Sequence, residues 1–377
     1  MRVVFCRSNP IAPDPRVEKE AKALVDAGYE VQVIGWDRSA SLPLVEEISG
    51  VQVQRLHIRA RFGHGLGNLP SLLRWQLGLA VWFFRNHKMY DVIHACDFDT
   101  VLPAIIMKML FGKTLVYDIF DFYSAHLRRT PEWIKRLIRA VDYWAISRAD
   151  AVIIVDDARR EQIRGSKPGH LEVIYNSPDD VRSSLKQDDF VFPSGADLRI
   201  AYVGLLQVER GLFEILQVME RHRNWSLVIA GFGGDETEIA ARSRMLENVR
   251  FLGRVSYDVA LQLSFVADVL FATYDPNIPN HRFSSPNKVF ESMMLAKPII
   301  VAEHTNMDKM VEKYQCGIIA PYGNVNALEM ALTQLEKDPE MRQQLGENGR
   351  VAYNTEYGWH IMRSRLLGLY RKILRRE

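Results

Sequence analysis

Two stretches of this chain combine residue types that bind anions. In Phe283-Ser284-Ser285-Pro286-Asn287-Lys288-Val289-Phe290-Glu291, Ser285 suits the cap of a helix and Pro286 its first turn. The bare amides from Asn287 onward then carry about half a positive charge, which holds a phosphate without a metal. Ser284 flanks this start. Glu291 shares a face with Asn287 and Lys288, where a carboxylate can accept from the two adjacent hydroxyls of a ribose. An anion site beside a diol acceptor amounts to half of a nucleotide site. In Gly204-Leu205-Leu206-Gln207-Val208-Glu209-Arg210-Gly211 a strand runs into a glycine and an arginine opens the next helix, so Arg210 can fork onto a diphosphate. Taken alone, the two stretches also fit an ordinary capped helix and a surface arginine.

Other glycine motifs carry less. Gly231-Phe232-Gly233-Gly234 follows a strand, but Glu236 stands where a dinucleotide fingerprint needs its last glycine; a tight turn beside a ligand remains. Gly112-Lys113-Thr114 precedes a strand and has Met107 in place of the first phosphate-loop glycine, so it reads as a turn. Gly63, Gly65 and Gly67 read as a loop with no strand before them.

Short β-rich runs alternate with helical patterns. Val3–Cys6, Glu30–Trp36, Val92–Ala95, Thr114–Tyr117, Ala151–Val155 and Leu171–Tyr175 read as strands, with a helix over Arg16–Ala27 stopped by Gly28. After a polar stretch a second series follows: Leu198–Val203, Ser226–Ala230, Val249–Leu252, Val269–Ala272, Pro298–Val301 and Gly317–Ala320 as strands, with a helix over Phe213–Glu220. The rhythm predicts α/β architecture: two doubly wound Rossmann-like domains with parallel sheets. The boundaries read as 1–185, a linker over 186–197, a second domain over 198–357 and a basic helix over 358–377, expected to pack back on the first domain. Ligands of such sheets sit at the carboxyl ends of the strands, and two such domains facing across a cleft form a common ligand site.

The 377 residues include 48 Lys and Arg against 46 Asp and Glu, a net charge of +2. That balance argues against a chain-wide nucleic-acid binder. Cys6, Cys96 and Cys316 have neither disulfide nor zinc spacing, which suits a reducing cytosol. The densest apolar run, Leu77–Phe84, is far short of the roughly 20 residues that span a bilayer.

The ordered set of motifs resembles the retaining glycosyltransferases of family 4 (group 1), whose fold is GT-B. It comprises Asp14-Pro15-Arg16-Val17-Glu18, then Tyr90-Asp91-Val92-Ile93-His94-Ala95 and Tyr202-Val203-Gly204 with Arg210-Gly211. Ile229-Ala230-Gly231-Phe232-Gly233, Val249-Arg250-Phe251-Leu252-Gly253 and Pro286-Asn287-Lys288 with Glu291 follow in order. The resemblance implies a UDP- or GDP-linked sugar as donor substrate, with no cofactor and no metal. Glu291 would hold the ribose, the amides of Asn287 and Lys288 and the Arg210 side chain the diphosphate, and the backbone near Val255 the base. Gly204, Gly231, Ser284 and Ser285 would line the donor site.

The chain departs from the family at three positions. Phe283 stands where a glutamate usually touches the donor sugar, so Ser284 or Ser285 must substitute. Leu205 replaces a basic residue. Phe120 replaces a histidine, leaving Asp118 and Asp121 as the polar groups nearby, for catalysis or for capping the next helix. Asp14 and Arg16 are candidates for acceptor contacts or for capping the first helix.

From Val51 to Tyr90 there is no Asp or Glu, whereas Arg55, Arg59, Arg61, Arg74, Arg85 and Lys88 are all basic. Arg128, Arg129, Lys135, Arg136 and Arg139 form a second basic group, and the tail from Arg363 to Arg376 a third. The apolar, aromatic helix expected over Leu72–Phe84 suits either a core position or an anionic lipid surface. The expectation is therefore a cytoplasmic hexosyltransferase, peripheral on the inner membrane face, serving a lipid-linked or oligosaccharide acceptor in polysaccharide or glycoconjugate synthesis. The alternatives are a sugar-nucleotide epimerase of the same fold and a degenerate, non-catalytic partner subunit.

Overall fold

The computed structural model describes residues 1–60, 65–127, 130–186, 192 and 195–374. The expectations for Arg61, Gly63, Arg128, Arg129, Arg375, Arg376 and most of the 186–197 linker lie outside the described residues. The chain forms two compact units, one of Met1–Tyr175 with Met362–Glu377, the other of Asn176–Ile361.

The first unit has eight described strands: β1 (Arg2–Arg7), β2 (Glu30–Asp37), β3 (Val45–Ile48), β4 (Val51–His57), β5 (Val92–Cys96), β6 (Thr114–Ile119), β7 (Ala151–Ile154) and β8 (Leu171–Val173). They lie in the order β3-β4-β2-β1-β5-β6-β7-β8, parallel except where β3 meets β4. Its helices are α1 (Pro15–Asp26), α2 (Leu69–Arg85), α3 (Phe98–Phe111), α4 (Tyr123–His126) and α5 (Glu132–Arg148). The second unit has β9 (Leu198–Leu205), β10 (Trp225–Phe232), β11 (Val249–Gly253), β12 (Val269–Ala272), β13 (Ile299–Ala302) and β14 (Gly317–Ala320), ordered β11-β10-β9-β12-β13-β14 and parallel throughout. Around it lie α6 (Leu212–Arg221), α7 (Glu236–Ser243), α8 (Tyr257–Val266), α9 (Asn287–Leu295), α10 (Met307–Tyr314), α11 (Val325–Lys337) and α12 (Pro339–Ala352). The last helix, α13 (Trp359–Leu374), belongs to the first unit from Met362 on. There Met362, Leu366, Leu369 and Tyr370 are buried.

The apolar runs of β5, β6 and β7 are buried along their whole length, as a parallel sheet covered on both faces requires. Strands β3 and β4 were not anticipated, because Val-Glu-Glu-Ile at the sheet edge is short with two adjacent acids and Val-Gln-Val-Gln-Arg-Leu-His beside it mixes polar with apolar residues, so neither offers a continuous apolar run. They also overturn the reading that no strand precedes Gly65 and Gly67. Arg55, counted among the surface cations, is interior: it donates to Pro10 O, Pro43 O and Ile11 O and pairs with Glu46. Helix α2 has two faces. Trp75, Leu79 and Phe83 are buried, while Leu73, Leu77, Val81 and Phe84 are exposed.

Candidate active site

In the second unit the strand order reverses between β9 and β12, where a crevice opens at the carboxyl ends. Gly204 is near the end of β9, and the short turn after it returns Arg210 toward β12. The Arg210 guanidinium carbon sits 3.8 Å above the Tyr274 ring, and its buried Nε has no hydrogen-bond partner. From α9, the Lys288 ammonium reaches to 3.7 Å above the Tyr202 ring and 5.6 Å from that of Tyr274. Gly204 makes room for it, since a Cβ there would lie 2.7 Å from Lys288 Nζ. Gly231 serves packing: a Cβ on it would meet the Gly204 carbonyl oxygen at 1.8 Å. Among the described residues neither Arg210 nor Lys288 forms an ion pair. Burial, with Arg210 adding to it and Glu291 opposing, holds the Lys288 ammonium well below its ordinary pKa. Two neighbouring cations without a carboxylate at hydrogen-bonding distance make a site that an anion stabilises.

The start of α9 differs from expectation by one residue. Pro286 occupies the cap position in an extended conformation and the helix begins at Asn287. Ser284 donates to His281 O at 2.9 Å, within the short turn His281–Phe283, and this fixes the approach to the helix. Ser285 therefore caps nothing. Its Oγ is buried without a hydrogen-bond partner, while its carbonyl accepts from Asn176 Nδ2 at 3.3 Å. The amides of Asn287 and Lys288 remain the first of the helix. One turn on, Glu291 Oε1 accepts from the Tyr257 hydroxyl at 3.1 Å. Burial and the Glu291 charge push the Tyr257 phenol up, so it stays a donor. Tyr257 brings the β11–α8 loop, with Val255, to the same helix start. Beside it Arg254 lies 4.8 Å over the Phe232 ring at the end of β10.

In the first unit the strand order reverses between β1 and β5. Asp14 caps α1, accepting from Val17 N at 3.3 Å, and also accepts from Arg7 Nε at 3.2 Å. Arg7 pairs with Asp97 as well. Arg16 donates to both carboxylate oxygens of Asp118, at 3.1 and 3.0 Å, and to Ile174 O at 2.7 Å. Asp14 and Arg16 are only 7% and 8% exposed, and Asp118 is fully buried. Of the two readings offered for Asp14, capping of α1 is what the structure displays, while Arg16 and Asp118 form an interior ion pair. Phe120 lies beneath two guanidinium groups, 4.0 Å from Arg7 and 4.8 Å from Arg16. Asp121 is partly exposed and pairs with Arg159 at 2.7 Å. It is the member of the aspartate pair that solvent reaches.

The two halves of the chain match two family models: "Glycosyl transferase 4-like domain" over residues 13–177 and "Glycosyl transferases group 1" over residues 186–352. The chain belongs to the group 1 glycosyltransferases. It is 22% identical over 328 residues to alpha-D-kanosaminyltransferase of Streptomyces kanamyceticus, spanning 79% of this chain and 83% of that one. It is 26% identical over 156 residues to phosphatidyl-myo-inositol mannosyltransferase of Mycobacterium leprae, covering 41% of this chain and 40% of the relative. The capsular polysaccharide biosynthesis glycosyltransferase CapM of Staphylococcus aureus is 23% identical over 183 residues, covering 47% of this chain and 46% of its own. The match thus spans less than half the length of the last two. Among solved structures, sucrose-phosphate synthase of Thermosynechococcus elongatus aligns with TM-score 0.78, 18% identity and 99% of both chains. HepE of Anabaena, solved with UDP and glucose, aligns with TM-score 0.71, 17% identity, 98% of this chain and 99% of that one. The fold is accordingly GT-B, with two parallel-sheet Rossmann-like units.

In this glycosyltransferase the residue at Leu205 is apolar and 43% exposed, yet a second cation stands beside Gly204 all the same: Lys288, supplied from α9. That side chain, with Tyr202, Tyr257 and Tyr274, was missed by the sequence reading, which used only the Lys288 amide. Aromatic residues in or just after a strand, such as Tyr202 and Tyr274, or opening a helix, such as Tyr257, read as core, and no spacing rule marks them. The first unit of the glycosyltransferase also contains a cavity of about 570 Å³ lined by Arg38, Ser39, Arg59, Asn68 and Ser71. His94, Cys96 and Asp118 place three ligand-type atoms within 4.8 Å of one another. The carboxylate of that trio already binds the Arg16 guanidinium, and burial pushes the Cys96 thiol well up, so the trio is poorly suited to a cation. No helix among the described residues is long and apolar enough to cross a membrane.

Proposed function

We propose that this chain is a metal-independent retaining glycosyltransferase that moves a hexose from a UDP- or GDP-linked donor to a lipid-linked or oligosaccharide acceptor at the cytoplasmic membrane face, in polysaccharide or glycoconjugate synthesis. The single observation that carries the donor half is a pair of basic side chains with no ion-pair partner among the described residues, Arg210 in the turn after β9 and Lys288 in the first turn of α9, with Glu291 one turn along. In this reading Arg210, Lys288 and the amides of Asn287 and Lys288 take the diphosphate, Glu291 the ribose hydroxyls, and the Val255 loop the base. Gly204, Gly231, Ser284 and Ser285 line the space between.

The sugar–diphosphate bond breaks as the acceptor oxygen approaches the same face of the anomeric carbon. The acceptor proton passes to a departing diphosphate oxygen, and the cations stabilise the charge that develops there. In this reading Asp121, partly exposed beside Arg159, orients an acceptor hydroxyl. The membrane half of the reading draws on relatives named for capsular polysaccharide and for phosphatidyl-myo-inositol.

Calorimetric screening of a nucleotide-sugar panel tests the donor site. Wild type binds one donor, and Glu291→Ala and Arg210→Ala each weaken it about 10- to 100-fold, the cost of losing a charged hydrogen bond, with melting temperature maintained. Wild-type affinity in both variants overturns the site. Donor turnover without any acceptor would favour an epimerase, and loss of transfer in the presence of a chelator would overturn metal independence.

A further inference from the structure

Helices α2, α3 and α5 lie on one face of the first unit's sheet and share one core, into which they send Trp75, Phe83, Val101, Ile105 and Ile146. Their outward sides are the unusual feature. On α2, Leu69, Leu73, Leu77, Val81 and Phe84 are 48–67% exposed. Spaced by four, four, four and three, they form one continuous stripe along the helix. The stripe carries over to α3, because the Phe84 ring meets that of Phe111 at 5.7 Å. There Ile106, Met109 and Leu110 are 48%, 70% and 61% exposed, and on α5 Trp133 and Leu137 add 68% and 58%. Single exposed apolar residues are ordinary, but a contiguous face of this kind marks a contact surface.

The charges beside it select the occupant. Arg74, Arg85 and Lys88 are exposed and no acidic residue occurs from 51 to 90; on α5 Arg136 is exposed, while Lys135 and Arg139 lie 3.8 and 4.0 Å from the exposed Glu132. A two-fold contact with a second copy would set Arg74, Arg85 and Lys88 against their own kind. Anionic headgroups neutralise them, and acyl chains accept the stripe. With no spanning helix among the described residues, the fitting arrangement is a helix layer lying in the interface plane.

We propose that the outward face of α2, α3 and α5 rests on an anionic phospholipid bilayer. Leu73, Leu77, Val81 and Phe84 enter the boundary between headgroups and acyl chains, and Arg74, Arg85 and Lys88 lie on lipid phosphates. The assignment deepens the acceptor half of the proposed function and rests on that reading for its purpose. It uses no donor-site residue, so the two fail separately.

Sedimentation of the full chain with vesicles tests it, without donor or acceptor, using phosphatidylcholine alone and phosphatidylcholine–phosphatidylglycerol in equal parts. Wild type pellets with the anionic vesicles at low salt and is released at high salt. The variant Arg74→Gln/Arg85→Gln/Lys88→Gln loses about a hundredfold in affinity, given about 1 kcal/mol per cation. Leu73→Gln/Leu77→Gln/Phe84→Gln loses binding while its circular dichroism melt changes little, since the three side chains are 55%, 67% and 56% exposed. Glu291→Ala pellets like wild type even where it no longer binds donor. Absence of wild-type pelleting at low salt overturns the proposal, as does pelleting of either triple variant at the wild-type level. A dimer abolished by the apolar triple variant, with no vesicle binding, overturns it in favour of a second copy.

Discussion

Lys288→Ala is expected to lower kcat/KM for sugar transfer about 10²- to 10³-fold, the usual cost of removing one preorganised group that meets developing negative charge. The side chain is held over the Tyr202 ring beside Gly204, within reach of Arg210's neighbourhood but of no carboxylate partner among the described residues. In the unliganded chain, burial and Arg210 disfavour the ammonium. A diphosphate favours it, so binding draws a proton onto Lys288 wherever the pH lies between the free and bound pKa values. Affinity then falls as pH rises through that window. Calorimetry in two buffers of different ionisation enthalpy measures the uptake. Lys288→Met abolishes it, and Lys288→Arg, which cannot deprotonate, gives pH-independent binding.

The same reasoning fixes the sign of a stability effect. A lysine whose folded pKa is depressed holds fewer protons folded than unfolded, so stability rises with pH between the depressed value and the ordinary one. Unliganded Lys288→Met should melt higher than wild type at neutral pH while failing to bind donor. A variant that melts lower and binds normally would show that Lys288 is only a packing residue.

The parallel sheets were legible because their strands are short, apolar and β-branched, and because buried strands show this on every residue, as Val116 and Ile153 do. Elements with one wet face were not. Strand β4 alternates Val51, Val53 and Arg55 with polar residues, and its buried arginine was counted as a surface charge. At the candidate site, the grouping of Gly204, Arg210 and Glu291 was legible because glycine and charge act through local spacing. The contribution of the Lys288 side chain was not, because it depends on a long-range approach: α9 must fold back over β9 before the ammonium meets Tyr202. The Ser285 cap failed for a related reason, since the turn at His281–Phe283 sets the chain direction before the helix begins. In the first unit Asp118 was left open between catalysis and helix capping because sequence shows no partner. Arg16 lies 102 positions away in the chain and closes on it only in the fold.

Breaking that contact should be the largest stability change in the molecule. Arg16 is surrounded by Asp118, Glu20 at 3.1 Å and the Ile174 carbonyl, and His94 lies 3.5 Å from both carboxylates. Burial works against ionising Asp118, but Arg16 and His94 outweigh it and hold its carboxyl below the usual range. Burial, resisted by Arg16 and reinforced by the Asp118 charge, keeps the Glu20 carboxyl well above its ordinary value. The surroundings thus favour the charge on Asp118 and oppose it on Glu20. Arg16→Met strands the Asp118 charge in the interior and should cost about 3–5 kcal/mol, a drop of about 10 °C in melting for a unit of this size. Replacing both partners, Arg16→Met with Asp118→Leu, should recover most of that loss, because no bare charge remains. Glu20 supplies the pH dependence. Its folded form holds a proton that the unfolded chain releases, so stability falls as pH rises above the ordinary glutamate range toward the folded value. Glu20→Gln should remove that decline. Donor affinity should stay within about twofold in Arg16→Met, since every proposed donor contact lies between Asn176 and Ile361. Urea denaturation across pH, paired with donor calorimetry, reads both outcomes. Unchanged stability in Arg16→Met would mean that the ion pair gains nothing over the apolar contacts around it.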